Sequence, residues 1–284
     1  MEWAESDVAE HWPVPDAGDD KYSRGVVGVV AGSEAYPGAA ALVVSGAAQA
    51  GAGMVRYVGP RRSQDLVLTV RPEAVVHGSA DAAGTLPRAT AWVVGPGVTD
   101  FPEQDAAIAA VAASGLPMVA DAGALASIAV ARAAGSRDAM ADRVLLTPHA
   151  GELIRALAAL RHDVTRADVE RDRAGHARLL AETARATVLL KGAVTVIASP
   201  GGSIVWLPEA TPWLATAGSG DVLAGIAGTL LAAGVRAREA GACAAWIHAR
   251  AAALASGGGP ITALAIADSL PRAIAGVLLP RAHA

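Results

Sequence analysis

The chain has 284 residues, 53% hydrophobic and 18% charged, with a formal net charge of −4. That length and apolar content suit one large α/β domain, and the acidic balance without a basic, aromatic-interleaved cluster excludes nucleic acid as the main partner. The acidic start Met1-Glu2-Trp3-Ala4-Glu5-Ser6-Asp7 is no signal peptide, and the longest apolar run, Val222 to Val235, is too short and glycine-rich to span a bilayer. A cytoplasmic protein with a small-molecule ligand and no membrane partner is expected.

Residues 1–20, with Pro13, Pro15 and several acids, read as an extension packed loosely on the surface or on another subunit, ahead of a single domain over 21–284. From there, short Val- and Ile-rich runs alternate with longer Ala- and Leu-rich segments, the signature of βα units around a mainly parallel sheet. Strands are predicted at 25–31, 54–58, 91–94, 117–121, 144–147 and 187–190. Helices are predicted at 39–50, 103–113, 151–160, 167–184, 239–255 and 263–275. The stretch 191–198, the turn Ser199-Pro200-Gly201-Gly202 and the run 203–207 break that rhythm and predict antiparallel strands at one sheet edge. The only cysteine, Cys243, falls in an Ala-rich helical pattern and reads as a buried structural thiol.

Ligands of open parallel sheets collect beyond the C-terminal ends of strands, so the residues just after each predicted strand carry the functional reading. Small residues over 32–40 leave room for a flat ligand, or form an ordinary βα turn. Gly95-Pro96-Gly97 is a stiffened turn. Asp121 suits a ribose hydroxyl, a metal or a helix cap. Thr147-Pro148-His149-Ala150-Gly151-Glu152 projects an imidazole and, three residues on, a carboxylate, either a hydrogen-bonded pair or half a metal site. The other histidines are spaced without a ligand pattern, so no structural zinc is expected. Lys191-Gly192 leaves a buried strand, placing a cation for phosphate or simply in solvent.

The richest segment is Ala217-Gly218-Ser219-Gly220-Asp221, which runs directly into an apolar helical pattern. Gly218, Ser219 and Gly220 form an anion cradle at a helix start. A carboxylate inside such a cradle is electrostatically misplaced unless it acts as a base, so Asp221 is either that base or a helix cap. No G-x-x-x-x-G-K-[ST] run is present, and no G-x-G-x-x-G opens a helix after the first strand.

Taken in order, these segments together with Gly38-Ala39-Ala40, Gly51-Ala52-Gly53 and Leu190-Lys191-Gly192-Ala193-Val194-Thr195 resemble the ADP-dependent NAD(P)H-hydrate dehydratases of the ribokinase-like superfamily. The resemblance covers roughly 21–255. It implies a ribokinase-like α/β fold and a repair lyase: the S form of NADH or NADPH hydrate returns to NAD(P)H, with ADP as phosphate donor and AMP and phosphate as by-products. Carried over by motif, Asp221 is the base that activates the ring hydroxyl. Ala39, Gly97, His149 and Asp221 contact the hydrated cofactor. Lys191, Gly192, Ala193, Val194, Thr195 and Gly220 line the nucleotide pocket, and Gly218 and Gly220 supply phosphate donors. Mg²⁺ is implied, held by phosphates and waters rather than by protein ligands.

The resemblance further implies a homo-oligomer, with tetramers among the look-alikes, and a separate NAD(P)H-hydrate epimerase as functional partner, no fused epimerase domain being expected. Three positions depart from the family pattern: Ser219 in place of Thr, Gly123 in place of a second Asp, and Asp20-Lys21 in place of His-Lys. Two rival readings share the same residues, a small-molecule (vitamin-precursor) kinase of the superfamily and a non-catalytic nucleotide sensor.

Overall fold

A computed structural model describes residues 1–79, 85–99, 102–135 and 141–279. Its nine strands form one sheet in the order β3-β2-β1-β4-β5-β6-β7-β8-β9. The first seven are β1 (Val26–Val30), β2 (Met54–Gly59), β3 (Val75–Gly78), β4 (Ala91–Val94), β5 (Met118–Ala120), β6 (Val144–Leu146) and β7 (Thr187–Leu190). They pair in parallel, whereas β8 (Val196–Ala198) and β9 (Ile204–Trp206) close one edge in antiparallel register. Parallel strands need crossovers, and helices therefore cover both faces.

Strand side chains alternate between two cores. Val27, Val29, Val93, Val119, Leu145 and Leu189 enter one, and Val30, Trp92, Val94, Met118, Leu146 and Leu190 the other. The first core is completed by α1 (Glu5–His11), α2 (Pro37–Gln49), α9 (Ser219–Ala232), α10 (Ala237–Ser256) and α11 (Ala263–Leu278). The second is completed by α4 (Pro102–Ala113), α5 (Leu125–Ala134), α6 (Ala150–Ala159), α7 (Arg166–Arg171) and α8 (Arg173–Ala184). Helix α3 (Arg61–Val70) joins the first core through Val67 and packs beside α2, β2 and β3. Cys243 is buried in the first core, and burial pushes its thiol up to about 12. Among the described residues no helix is long and apolar enough to cross a membrane.

Every predicted strand is present within two residues of its expected bounds, and the antiparallel edge is there. Its first strand, however, starts at Val196 rather than at Lys191, because Lys191 still bridges in parallel to His149 at the end of β7 and residues 192–194 form the bend between the two strands. The predicted helix 167–184 is two helices. Asp172 leaves helical geometry at φ −141° and ψ 77°, and its carboxylate accepts from the Gly175 N–H at 2.8 Å to start α8. The N-terminal segment corrects the expected loose extension. Trp3, Val8 and Trp12 are buried in the first core, and backbone bonds join Trp3 N–H to the Trp206 carbonyl and Trp206 N–H to the Met1 carbonyl.

The closest helix contact is backbone on backbone. A Cβ on Gly46 of α2 would lie 2.5 Å from the Val222 carbonyl oxygen of α9, and one on Gly225 of α9 would lie 2.8 Å from the Ala47 nitrogen of α2. The Thr229 hydroxyl then donates to the Ala47 carbonyl at 3.0 Å. Gly46→Ala is expected to lower stability by roughly 1–3 kcal/mol through overpacking. Gly38→Ala, at a helical position with nothing within 4 Å of the new methyl, is expected to stay within about 0.5 kcal/mol of the parent or gain. Urea unfolding of the two variants checks this, and equal losses would remove the seam from the account.

Candidate active site

The turn before α9 is built on Gly218, the helix N-cap, at φ +85°. That left-handed conformation strains any residue with a Cβ, and a Cβ here would also strike the Leu42 side chain of α2. No side chain caps α9, so its first N–H groups and the positive end of its dipole face the space in front. Asp221 stands in this first turn and caps nothing, which removes the capping alternative.

Burial is the main force raising Asp221 from 3.8 to about 7; the negative charges of Asp121 and Glu152 add to it and Lys191 opposes it. A carboxylate tuned to neutrality is matched to proton abstraction at physiological pH. Its neighbours form a fixed network at the ends of β5, β6 and β7. Asp121 is buried, and one of its oxygens accepts from the Thr147 hydroxyl at 2.8 Å and from Lys191 Nζ at 2.7 Å. The capping reading of Asp121 falls, since its side chain makes no cap hydrogen bond and one of its oxygens is held by Lys191. Glu152 Oε2 lies 3.6 Å from the same ammonium. Burial works against the charge of Lys191, yet Asp121, Glu152 and Asp221 together hold its pKa above the ordinary lysine value.

His149 is the N-cap of α6. Its Nδ1 accepts from the Gly151 and Glu152 N–H groups at 3.0 and 3.3 Å, while Glu152 Oε2 accepts from the His149 N–H at 2.8 Å. Of the two readings of this pair the hydrogen-bonded one holds, in the form of a capping box. The accepting role of Nδ1 leaves the ring proton on Nε2, 3.5 Å from Glu152 Oε1. Among the described residues no group of three or more His, Cys, Asp or Glu is arranged to hold a metal ion.

A cavity of about 910 Å³ opens over these groups. It brings together His149, Lys191, the 218–221 turn and, of the 192–195 segment, Gly192, Ala193 and Thr195. Val194 is not in its lining; its carbonyl faces Arg173 at 3.5 Å. Ala39 and Gly97 are also outside the lining but meet each other, a Cβ on Gly97 falling 2.5 Å from that of Ala39. Ala39 lies three residues before Leu42 on α2, so this pair and the cradle share one helix face. Unanticipated from sequence are Trp246, His248 and Arg250 of α10, which line the cavity, His248 being buried and pushed down to about 4 by that burial. They are the bulky polar interruptions of an Ala-rich helix, the one signal that marked them.

A mostly parallel sheet with antiparallel edge strands and helices on both faces is a ribokinase-like α/β fold. Residues 27–272 match the family model described as NAD(P)H-hydrate dehydratase. The chain belongs to the NAD(P)H-hydrate dehydratase family. It is 45% identical over 254 residues to the bifunctional NAD(P)H-hydrate repair enzyme Nnr of Mycobacterium leprae (strain TN), covering 88% of this chain and 50% of that protein. It thus spans about half the length of that relative. It is 35% identical to the ADP-dependent (S)-NAD(P)H-hydrate dehydratase of Neisseria meningitidis serogroup B, over 82% of this chain and 77% of that one. The crystal structure of the ADP/ATP-dependent NAD(P)H-hydrate dehydratase from Bacillus subtilis, co-crystallised with ATP and Mg²⁺, superposes with a TM-score of 0.86 at 29% identity, covering 97% of this chain and 98% of that one.

The raised pKa of Asp221 has a stability consequence. In the unfolded chain the group ionises near 3.8, whereas in the fold it keeps its proton to about 7. The stabilisation from holding it neutral is complete below 3.8 and is lost as pH rises towards 7. Asp221→Asn is therefore expected to match the wild type in thermal stability near pH 3.5 and to exceed it increasingly up to about pH 7, with no further gain above. Melting curves across pH 3.5–8.5 check this, and a constant offset would remove Asp221 as a buried titrating group.

Proposed function

We propose that this chain dehydrates the S form of NADH or NADPH hydrate to NAD(P)H, with ADP as phosphoryl donor and AMP and phosphate as products. One observation carries the reading. Within the cavity Asp121 and Glu152 are both bound to partners, whereas Asp221 is held by none, stands at the uncapped start of α9, and has a proton affinity set near neutrality. The names of the relatives above agree with it.

The nucleotide phosphates lie at the α9 start, where the N–H groups of the turn and the Lys191 ammonium offset their charge. Segment 191–195 forms the nucleotide side, with Gly220 beneath the phosphates. The hydrated ring occupies the side of Ala39, Gly97 and His149, whose Nε2–H is a donor. Asp221 takes the proton of the ring hydroxyl as its oxygen forms a bond to the terminal phosphorus of ADP, and the bond to AMP breaks. The phosphate then leaves with the ring C–O bonding pair while the adjacent ring carbon gives up its proton, and the double bond returns. Phosphorylation is the means of making a poor leaving group good.

The residues present do not make a metal cage. Lys191 Nζ stands 2.7 Å from Asp121 and 3.6 Å from Glu152, in the place a cation between those carboxylates would take. Mg²⁺ accompanying the nucleotide would be held by phosphates and waters, where it would offset the charge of the transferred group. An epimerase that converts the other stereoisomer is the functional partner we propose, and a homo-oligomer the assembly.

Purified protein given NADPH hydrate, Mg²⁺ and ADP is expected to restore the reduced-nicotinamide absorbance with one phosphate released per turnover. The rate should fall as pH drops through about 7, because protonated Asp221 no longer accepts the hydroxyl proton. Asp221→Asn is expected to lose at least roughly a hundredfold in kcat, the lower range for a general base, while binding ADP normally. Accumulation of a stable phosphorylated product would instead establish the kinase reading, and nucleotide binding without turnover of the intact chain the sensor.

A further inference from the structure

We propose that Arg173, outside the cavity, is a positioning residue for the nucleotide side of the site, acting through the carbonyl groups of segment 191–195; the inference rests on the function proposed above. Arg173 opens α8, immediately after Asp172 breaks the helix. Its Nη2 donates to the Lys191 carbonyl at 3.0 Å and reaches those of Leu190 and Val194 at 3.5 Å. All three contacts converge on that one nitrogen, so a single charged group draws three carbonyl oxygens together. Arg173 is not among the cavity-lining residues, so it holds these carbonyls from outside the cavity.

Gly192 provides the second observation. A Cβ there would overlap Arg173 Nη2 and lie 2.8 Å from Cζ. The missing side chain at this glycine is what leaves room for the guanidinium. Because the clashing atoms are the end of a flexible side chain, a methyl at 192 displaces Arg173 rather than the backbone. Gly192→Ala and Arg173→Ala should therefore break the same contact.

Isothermal titration of the full chain with ADP, and separately with NADPH hydrate, reads this out. Arg173→Ala is expected to weaken ADP binding roughly ten- to a hundredfold, the range of charge-assisted hydrogen bonds, with NADPH hydrate affinity changed less than about twofold. Gly192→Ala should show the same selective loss, and the double variant should be no worse than Arg173→Ala alone. Arg173→Lys should fall between wild type and Arg173→Ala. Losses that multiply in the double variant, equal losses for both ligands, or unchanged ADP affinity would each overturn the proposal. Should Arg173→Ala fail to fold, Gly192→Ala and Arg173→Lys carry the same test. A wild type that binds ADP without dehydrating the hydrate would overturn the reaction but not the role of Arg173. A wild type that binds neither ADP nor ATP would overturn both.

Discussion

The contact between α2 and α9 is the constraint on which the site depends. Two helices approach until the backbone of each touches the other, which only Gly46 and Gly225 permit, and the Thr229 hydroxyl fastens the pair. Both helices begin at the ligand edge of the sheet: α2 carries Ala39 into its first turn and α9 starts with the cradle. The spacing of the seam therefore fixes how far the small-residue wall at Ala39 and Gly97 stands from Asp221. A bulkier seam would splay the two starts and separate the residues that the proposed transfer needs side by side.

Electrostatics at the strand ends complete what packing begins. Three carboxylates share one lysine, and the sharing is unequal: Asp121 takes the short bond, Glu152 the longer one and Asp221 only the field. Burial, with the negative charges of Asp121 and Glu152 added to it, raises the proton affinity of Asp221 towards neutrality. Lys191 limits how far the pKa of Asp221 climbs, and in the proposed reaction it would also supply cationic charge for the phosphates.

The fold was largely legible because buried parallel strands are short β-branched runs and their crossover helices carry apolar residues at helical spacing. What escaped was local. The strand Val75–Gly78 is half-exposed and only four residues long, so it lacks an apolar run. The break at Asp172 is made by a side-chain cap without glycine or proline. Trp3, Val8 and Trp12 stand in an acidic, proline-bearing stretch, and only contacts with distant α10 and α11 show it to be core. At the site, the residue types and the order of His149, Lys191 and Asp221 were readable from motif. Their partnerships were not, because Asp121 and Lys191 are 70 residues apart. The role of Gly192 depends on Arg173, which lies in a different helix.

In the reaction proposed here the network would also divide labour between the two ligands. The ends of β5, β6 and β7 are tied by Thr147 to Asp121, Asp121 to Lys191, and Lys191 N–H to the Pro148 carbonyl at 2.8 Å. This is a polar lattice of charge-assisted bonds, suited to a ligand that brings several negative charges. The other wall rests on close approach instead: Gly32 N–H donates to the Pro96 carbonyl at 2.7 Å, the Tyr57 hydroxyl to the Ala31 carbonyl at 2.8 Å and the Gln104 amide to the Gly32 carbonyl at 2.6 Å. Those bonds tie the backbone behind the wall together, and Ala39 and Gly97 in front of it are small and uncharged, which in the proposed reaction would suit a flat ring. Asp221 arrives on α9 from neither wall, through the seam with α2. A base carried by a third element can face a hydroxyl from one side and a phosphate from the other without belonging to either binding surface, which is the geometry an in-line transfer between two bound ligands requires.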